Sequence, residues 1–254
     1  MHTQLTRRLS AVFLSAVALS AAPAAQGQRP LAARMIPIDL LCGPQAALAP
    51  PNRSIRVAGG GTEGMKALFA PGDTITINAG TAQGVSVGQH YYARRVVEDR
   101  FTVRTAERPP LSIHTAGWIT VVEVQANEST ARVAEACDGI MEGDYLEPLV
   151  VPAAAAPPPA GRPDFARPGR VILGDDRRQL GAGGGSLMVM DRGSDHGLRA
   201  GQRLTLFRHT PDGPEPIATL GEAVVASTQP ETSLIRIETS REAIQVGDLI
   251  AIHR

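Results

Sequence analysis

The most enzyme-like group of residues in this 254-residue chain is Ser194-Asp195-His196, inside the loop Gly193 to Gly197. These residue types could serve as a nucleophile, an orienting acid and a base. That relay needs side chains that converge from different parts of a fold, which consecutive residues of one turn cannot do. A second copy of the loop carries Thr81-Ala82-Gln83 at the same place. The sequence therefore predicts a turn here and no catalytic residues.

Metal and phosphate chemistry have no matching pattern. The histidines after residue 28 are His90, His114, His196, His209 and His253, without HxH or HExxH spacing, and no cysteine lies near them in a zinc pattern. The glycine runs at 59–61 and 183–185 lack the Lys-Ser/Thr of a phosphate-binding loop. We therefore expect neither a metal nor a cofactor.

Cys42 and Cys137 are the two cysteines of the chain. In an exported protein an even number of cysteines favours a disulfide. This bond would tie the segment before the first repeat to that repeat, and for so long a loop the chain-entropy model gives about 4 to 5 kcal/mol. Two unpaired, small hydrophobic side chains are the alternative.

A cluster of aromatic and arginine side chains is the best candidate for a contact surface. Its members are Tyr91, Tyr92, Arg94, Arg95 and Trp118. Trp, Tyr and Arg dominate the energetics of protein interfaces. For Trp118 and one of the tyrosines, packing between strands is the alternative.

A tandem repeat must position these residues. The stretch from Thr74 to Arg95 recurs as Leu187 to Arg208, and the stretch from Ala116 to Pro148 recurs as Leu220 to Ile252. The chain is therefore a duplication. In Thr74 to Asn78 the alternation of threonine and isoleucine predicts a half-buried strand, whereas Leu187 to Met190 is apolar on both faces and predicts a more covered one.

Each copy carries the turn motif G-x-x-x-G-[VL]-x-x-G-Q. Its glycines are Gly80, Gly84 and Gly88 in the first copy and Gly193, Gly197 and Gly201 in the second. We interpret the motif as two tight turns flanking a short bridge, where glycine supplies positive φ. Each copy ends in a Gly-Asp pair before its last strand, Gly143-Asp144 and Gly247-Asp248. Capping of turn amides explains these aspartates, with calcium binding as the alternative.

Short strands, frequent glycine turns and little helical periodicity predict an all-β fold. We expect two tandem small β-barrel or sandwich domains, at residues 55–150 and 170–254, after an extended leader at residues 28–54. The Pro/Ala-rich residues 151–169 predict a semi-rigid polyproline II linker that, fully extended, could hold the domains apart.

The first 27 residues have the pattern of a secretory signal peptide, with Arg7 and Arg8 before an apolar run from Leu9 to Ala22. That run is too short to span a membrane. We expect cleavage between Ala25 and Arg29 and a periplasmic or secreted product. The 25 basic and 25 acidic residues balance, so no attraction to nucleic acid or anionic lipid is expected.

The glycine turn, the strand ending in Arg95 or Arg208, and the terminal I-x-x-G-D-x-[IL] strand resemble the C-terminal β-domain of the flagellar assembly protein T family. They also resemble exported bacterial proteins that carry this repeat twice, some of them associated with peptidoglycan-binding LysM modules. In flagellar assembly protein T this domain belongs to a non-catalytic periplasmic assembly.

The resemblance implies a non-catalytic scaffold or binding module of the bacterial cell envelope, whose partner is an envelope protein or peptidoglycan. The alternative function is binding of peptidoglycan or another glycan. A secreted hydrolase is the third hypothesis, for which the sequence offers no convincing catalytic residue.

Overall fold

The computed structural model describes residues 38–60, 66–97, 109–149, 157–174, 182–210 and 217–254. The predicted signal peptide, residues 28–37 of the predicted leader and residues 150–156, which include the start of the predicted linker, lie outside these ranges. Within them the chain is almost entirely β-strand, with a four-residue helix, α1 (Ile38–Leu41), as the one α-helix. The predicted all-β fold class is confirmed.

Domain 1 is an antiparallel sheet whose two ends meet. Its strands are β2 (Val57–Gly60), β3 (Thr74–Ile77), β4 (His90–Val97), β5 (Leu111–Val124), β6 (Ser129–Ala136) and β7 (Tyr145–Pro148), in the order β2-β3-β6-β5-β4-β7. An antiparallel bridge between Arg56 and Tyr145 joins the β2 end to the β7 end. The amide of Leu146 also donates a 2.8 Å hydrogen bond to the Ile55 carbonyl.

Domain 2 is a closed six-stranded barrel with the same strand order. Its strands are β8 (Pro163–Gly174), β9 (Leu187–Met190), β10 (Arg203–His209), β11 (Ile217–Thr228), β12 (Ser233–Ser240) and β13 (Leu249–His253), in the order β10-β11-β12-β9-β8-β13. Pairing agrees at the residue level, since Thr76 lies opposite Thr130 just as Val189 lies opposite Leu234. The duplication in sequence is therefore a duplication in structure.

The strand β8 begins at Pro163, inside residues 151–169, which were predicted to be a linker. Residues 163–169 pair with β13, from Pro163 opposite His253 to Gly169 opposite Ile250. Proline is tolerated because this half of β8 has a strand on one side only, since pairing with β9 starts at Val171. The second half of the predicted linker is therefore strand rather than polyproline II.

Alternating apolar side chains fill the interior of each domain. In domain 1 they include Ile75, Ile77, Ile119, Val121 and Val133, and in domain 2 Met188, Met190, Leu204, Leu206 and Ile235. Burial of each such side chain contributes about 1.5 to 3 kcal/mol. These two cores hold the sheets on which all candidate site residues stand.

Residues 38–48 of the leader join the two domains. Its strand β1 (Gln45–Ala47) pairs antiparallel with β5, from Gln45 opposite Ile113 to Ala47 opposite Leu111. The predicted disulfide between Cys42 and Cys137 is confirmed, with an S–S distance of 1.99 Å. Residues 36–254 form one compact unit, so the domains are not held apart as a fully extended linker would hold them.

Candidate functional site

The five residues predicted as a contact surface do not form one exposed surface. Tyr91 points into the domain 1 core, with 7 % of its surface exposed, and its hydroxyl donates a 2.8 Å hydrogen bond to Gln89 Oε1. Tyr92 and Arg94 stand on the outer side of β4 but are only 8 % and 5 % exposed. Trp118 is half-buried on β5, opposite Tyr92. Strand alternation separates Tyr91 from the others.

Tyr92 and Arg94 belong to a packed polar cluster across β4 and β7. The Arg94 guanidinium lies 4.1 Å from the centre of the Tyr92 ring, a cation–π geometry. Arg94 also forms an ion pair with Glu147, whose side chain is half exposed, and it pairs across the strands with Tyr145. Because these side chains cover one another, they leave no accessible binding surface on this side of the sheet.

Burial changes the acidity of Tyr145 in this cluster, where it is 2 % exposed. Desolvation raises the pKa of its hydroxyl to about 12. Because the folded chain holds this proton more tightly than the unfolded chain, the free energy of unfolding should fall as the pH rises from 10 to 12.

The Tyr145→Phe variant should lose this part of the alkaline decline, because phenylalanine has no proton to release. Urea unfolding at a series of pH values above 9 measures it, with tyrosine absorbance as a check on ionisation. Tyr92→Phe is the matched control and should change the decline less, since the pKa of Tyr92 is raised less than that of Tyr145. Identical alkaline curves for Tyr145→Phe and the unmodified chain would contradict the assignment.

Ser194, Asp195 and His196 form a single 3-10 turn, as Thr81, Ala82 and Gln83 do in domain 1. The Gly193 amide donates to His196 Nδ1 at 3.2 Å, and the Gly80 amide donates to Gln83 Oε1 at 2.8 Å. Ser194 Oγ donates to the Gln229 carbonyl at 3.4 Å. The histidine therefore accepts from a backbone amide beside its own turn, and the serine donates to the backbone of the turn between β11 and β12.

The glycines of the motif fall into two groups. Positive φ values occur at the motif glycines Gly84, Gly88, Gly197 and Gly201. They also occur at Gly143 and Gly247 of the two Gly-Asp pairs. Gly80 and Gly193 instead have extended backbone, with φ of −141° and −135°. A Cβ atom on either would lie 2.1 Å from a carbonyl oxygen, that of Gln125 or Gln229. Close approach of the backbone, rather than positive φ, therefore requires glycine there.

Asp144 and Asp248 each cap a turn and bind an arginine of the neighbouring strand. Asp144 accepts the Met141 amide at 2.9 Å and both Nε and Nη2 of Arg95 at 2.8 Å. Asp248 accepts the Gln245 amide and binds Arg208 in the same two-pronged way, at 2.7 and 2.8 Å. The hydrogen bonds that Arg208 donates to Asp248 raise the pKa of Arg208. Capping accounts for part of each aspartate's role. The ion pair of each buried carboxylate with a partly exposed arginine was not predicted.

A second polar cluster, which sequence reasoning missed, lies on the outer side of the domain 2 barrel. Thr205 Oγ1 is 2.8 Å from His253 Nε2 and 3.2 Å from Glu222 Oε1. A carboxylate only accepts, so the threonine donates to Glu222 and accepts from His253. A nucleophilic hydroxyl would have to give its proton to the histidine. The Thr205 hydroxyl therefore bridges Glu222 and His253 and is not arranged as a nucleophile. These three residues are distant in sequence, and the pairing of β10 with β11 and β13 brings them together.

The largest difference between the domains lies on one outer sheet face. In domain 2 this face, called here the covered face, consists of Leu187, Val189, Ala226 and Leu234. Leu187, Val189 and Leu234 are 4 %, 2 % and 6 % exposed because Leu40 and Ala46 of the leader pack on them. The prediction that the strand from Leu187 to Met190 is more covered is confirmed.

The matching positions of domain 1, called the open face, are Thr74, Thr76, Val122 and Thr130. Thr74 is exposed, Thr76 and Thr130 are half-buried, and Val122 is 46 % exposed. One face of a repeated fold is thus apolar and occupied in one copy, and rich in hydroxyl groups and accessible in the other. We take the open face as the candidate functional site.

A small crevice marks the junction between the leader and domain 2. It is lined by Pro44, Gln45, Val189, Ser227, Gln229, Thr232 and Leu234, and its volume is about 20 Å³. This volume holds roughly one water molecule and no larger ligand.

Within the described ranges, no three side chains of His, Cys, Asp or Glu come together as a metal site. The same residues include no helix that is long and apolar enough to cross a membrane.

Comparison with models of known protein families gives no match, and comparison with curated proteins gives none either. The resemblance to the flagellar assembly protein T domain therefore stays a prediction.

Proposed function

We propose that this chain is a non-catalytic binding module or scaffold that is exported to the bacterial cell envelope. One observation carries the proposal. The same outer face of a duplicated domain holds an extended segment of polypeptide in domain 2 and is accessible in domain 1. A face that already serves as a docking surface in one copy is the natural docking surface of the other.

The chemistry of the open face favours a polar, extended partner. Threonine hydroxyls on β3 and β6 both donate and accept hydrogen bonds, and their branched side chains have little rotamer freedom to lose on binding. Arg132, which is exposed, lies opposite Thr74 and adds a positive charge. The leader on domain 2 combines apolar contacts with the Gln229–Gln45 hydrogen bond. A partner on domain 1 would make proportionally more hydrogen bonds.

Site-specific photocrosslinking in the envelope tests this proposal. A photoreactive residue at Thr76 or Val122 should capture one saturable protein partner. The same residue at Glu142, which is exposed in the turn before β7, is the matched control and should not capture it. Changing Thr76→Val and Thr130→Leu copies Val189 and Leu234 of domain 2 and should abolish capture at Val122. Equal capture from Glu142, or capture that survives the double change, would contradict the proposal.

Glycan binding is the second candidate, favoured by the position of Trp118. This half-buried indole stands on the outer side of β5, two residues from Thr120, whose hydroxyl lies 2.9 Å from His90 Nδ1. An aromatic face beside hydroxyl and imidazole groups can stack on a sugar ring and bind its hydroxyls. Co-sedimentation of the chain from residue 28 onward with peptidoglycan sacculi tests this, and Trp118→Ala should abolish retention. If the unmodified chain stays in the supernatant, binding of peptidoglycan is contradicted.

A further inference from the structure

We propose that the leader, residues 38–48, is a clip that sets the arrangement of the two domains, and that the Cys42–Cys137 bond decides whether this clip is closed. This proposal does not depend on the proposed function, because it concerns the covered face and not the open face.

The leader contacts both domains with different groups. Toward domain 1, β1 adds three backbone pairs to the start of β5. Toward domain 2, Leu40 and Ala46 pack on the covered face, Gln229 Nε2 donates to Gln45 Oε1 at 2.8 Å, and Thr232 Oγ1 donates to the Ala46 carbonyl at 3.4 Å. The leader therefore lies between the two sheets and bonds to each.

Strand-to-strand packing between the two sheets is less extensive than the packing of β1 on β8. Among the described residues, no strand of domain 1 packs extensively on a strand of domain 2, whereas β1 packs on β8. Contacts of the leader therefore contribute to the mutual placement of the two domains.

The leader is too short to stay in place unaided. A helix of four residues and a strand of three have little stability of their own in water. Few of its apolar side chains reach the covered face. The disulfide supplies the missing restraint, because it fixes the leader to the end of β6 across 95 positions of sequence. Without this bond the only covalent link from the leader to the folded domains is the chain that leads into β2, and the remaining contacts are non-covalent.

The disulfide is placed where a reductant can reach it. Both cysteines are half-buried rather than buried. A dithiol reductant would attack one sulfur, break the S–S bond through a mixed disulfide, and leave as its own disulfide, giving two thiols at Cys42 and Cys137. Release of the leader would then expose Leu187, Val189 and Leu234. The same bond thus controls both the coupling of the domains and access to an apolar surface.

Energy transfer between fluorescent residues introduced at Glu142 in domain 1 and Glu242 in domain 2 tests this in the full chain, since both positions are exposed. The oxidised chain should give one narrow distance distribution. Reduction with dithiothreitol, or the double change Cys42→Ser and Cys137→Ser, should broaden it and increase the fluorescence of a dye that binds apolar surface. An unchanged, narrow distribution after reduction would overturn the proposal.

A matched variant separates release of the clip from loss of folding. Leu187→Thr, Val189→Thr and Leu234→Thr give domain 2 the residues that domain 1 carries at Thr74, Thr76 and Thr130. With the disulfide intact, this triple variant should keep its strand content and still lose the narrow distribution. A narrow distribution in the triple variant would overturn the clip. Unfolding of domain 1 on reduction, detected by Trp118 fluorescence, would overturn the switch.

Discussion

The Asp144→Ala variant is expected to unfold with a free energy about 3 kcal/mol lower than that of the unmodified chain. The Asp144 side chain is 2 % exposed and accepts three hydrogen bonds, two from Arg95 and one from the Met141 amide. Truncation leaves this amide unsatisfied and Arg95 without its carboxylate. The Arg95 side chain is 20 % exposed, and its contact with water keeps the loss below that of a fully buried pair.

Urea unfolding monitored by tryptophan fluorescence measures this loss, because the single tryptophan, Trp118, belongs to domain 1. Asp248→Ala is the matched control. It removes the equivalent pair with Arg208 and should shift the circular-dichroism transition of domain 2 while leaving the tryptophan transition in place. A loss under about 1 kcal/mol for Asp144→Ala would contradict this expectation. It would mean that the attraction between the two charges only offsets the cost of removing them from water.

The Gly80→Ala variant is expected to lower the free energy of unfolding of domain 1 by about 3 kcal/mol, at the upper end of the usual range for overpacking. The added Cβ atom would lie 2.1 Å from the Gln125 carbonyl oxygen and 2.7 Å from the Ala126 carbonyl. Both obstacles are backbone atoms that already bind the amides of Thr81 and Ala82. Relief of the clash would therefore break the hydrogen bonds that anchor the turn.

Gly84→Ala distinguishes this cause from backbone strain. Gly84 has φ of 81°, and a Cβ atom added there would meet no atom within 4 Å, so alanine should cost only about 1 to 2 kcal/mol. The same fluorescence-monitored unfolding compares the two variants. Equal losses would contradict the expectation that close approach at Gly80 costs more than positive φ at Gly84.

Local sequence patterns predicted much of the fold. Alternation in Thr74 to Asn78 and its absence in Leu187 to Met190 correctly predicted one half-covered and one fully covered strand, because side chains of a strand point to opposite faces. Two cysteines allow only one intramolecular pairing, so the predicted disulfide followed from the predicted export and from the cysteine count. The boundary at residue 163 was missed because proline density outweighed pairing with β13, which local composition does not encode.

The identification of the candidate site depended on contacts between residues that are far apart in sequence. The open face and the covered face share their strand positions, and their threonine or apolar character is visible in the sequence. Which face is occupied was decided by the leader, whose Leu40 and Ala46 reach residues more than a hundred positions away. Tyr92 and Arg94 likewise look like surface residues by type and are buried by their neighbours on β7.

The sequence by itself determined the duplication, the all-β class and the positions of the turns, because strand periodicity and glycine spacing act over a few residues. It favoured the disulfide, since two cysteines allow a single intramolecular pairing. Only the tertiary structure decided the strand order, the Thr205–Glu222–His253 cluster, the pairing of the buried carboxylates with arginines, and the position of the leader between the domains. These features depend on register and long-range packing, in which many distant residues compete for the same apolar surface and hydrogen-bonding groups.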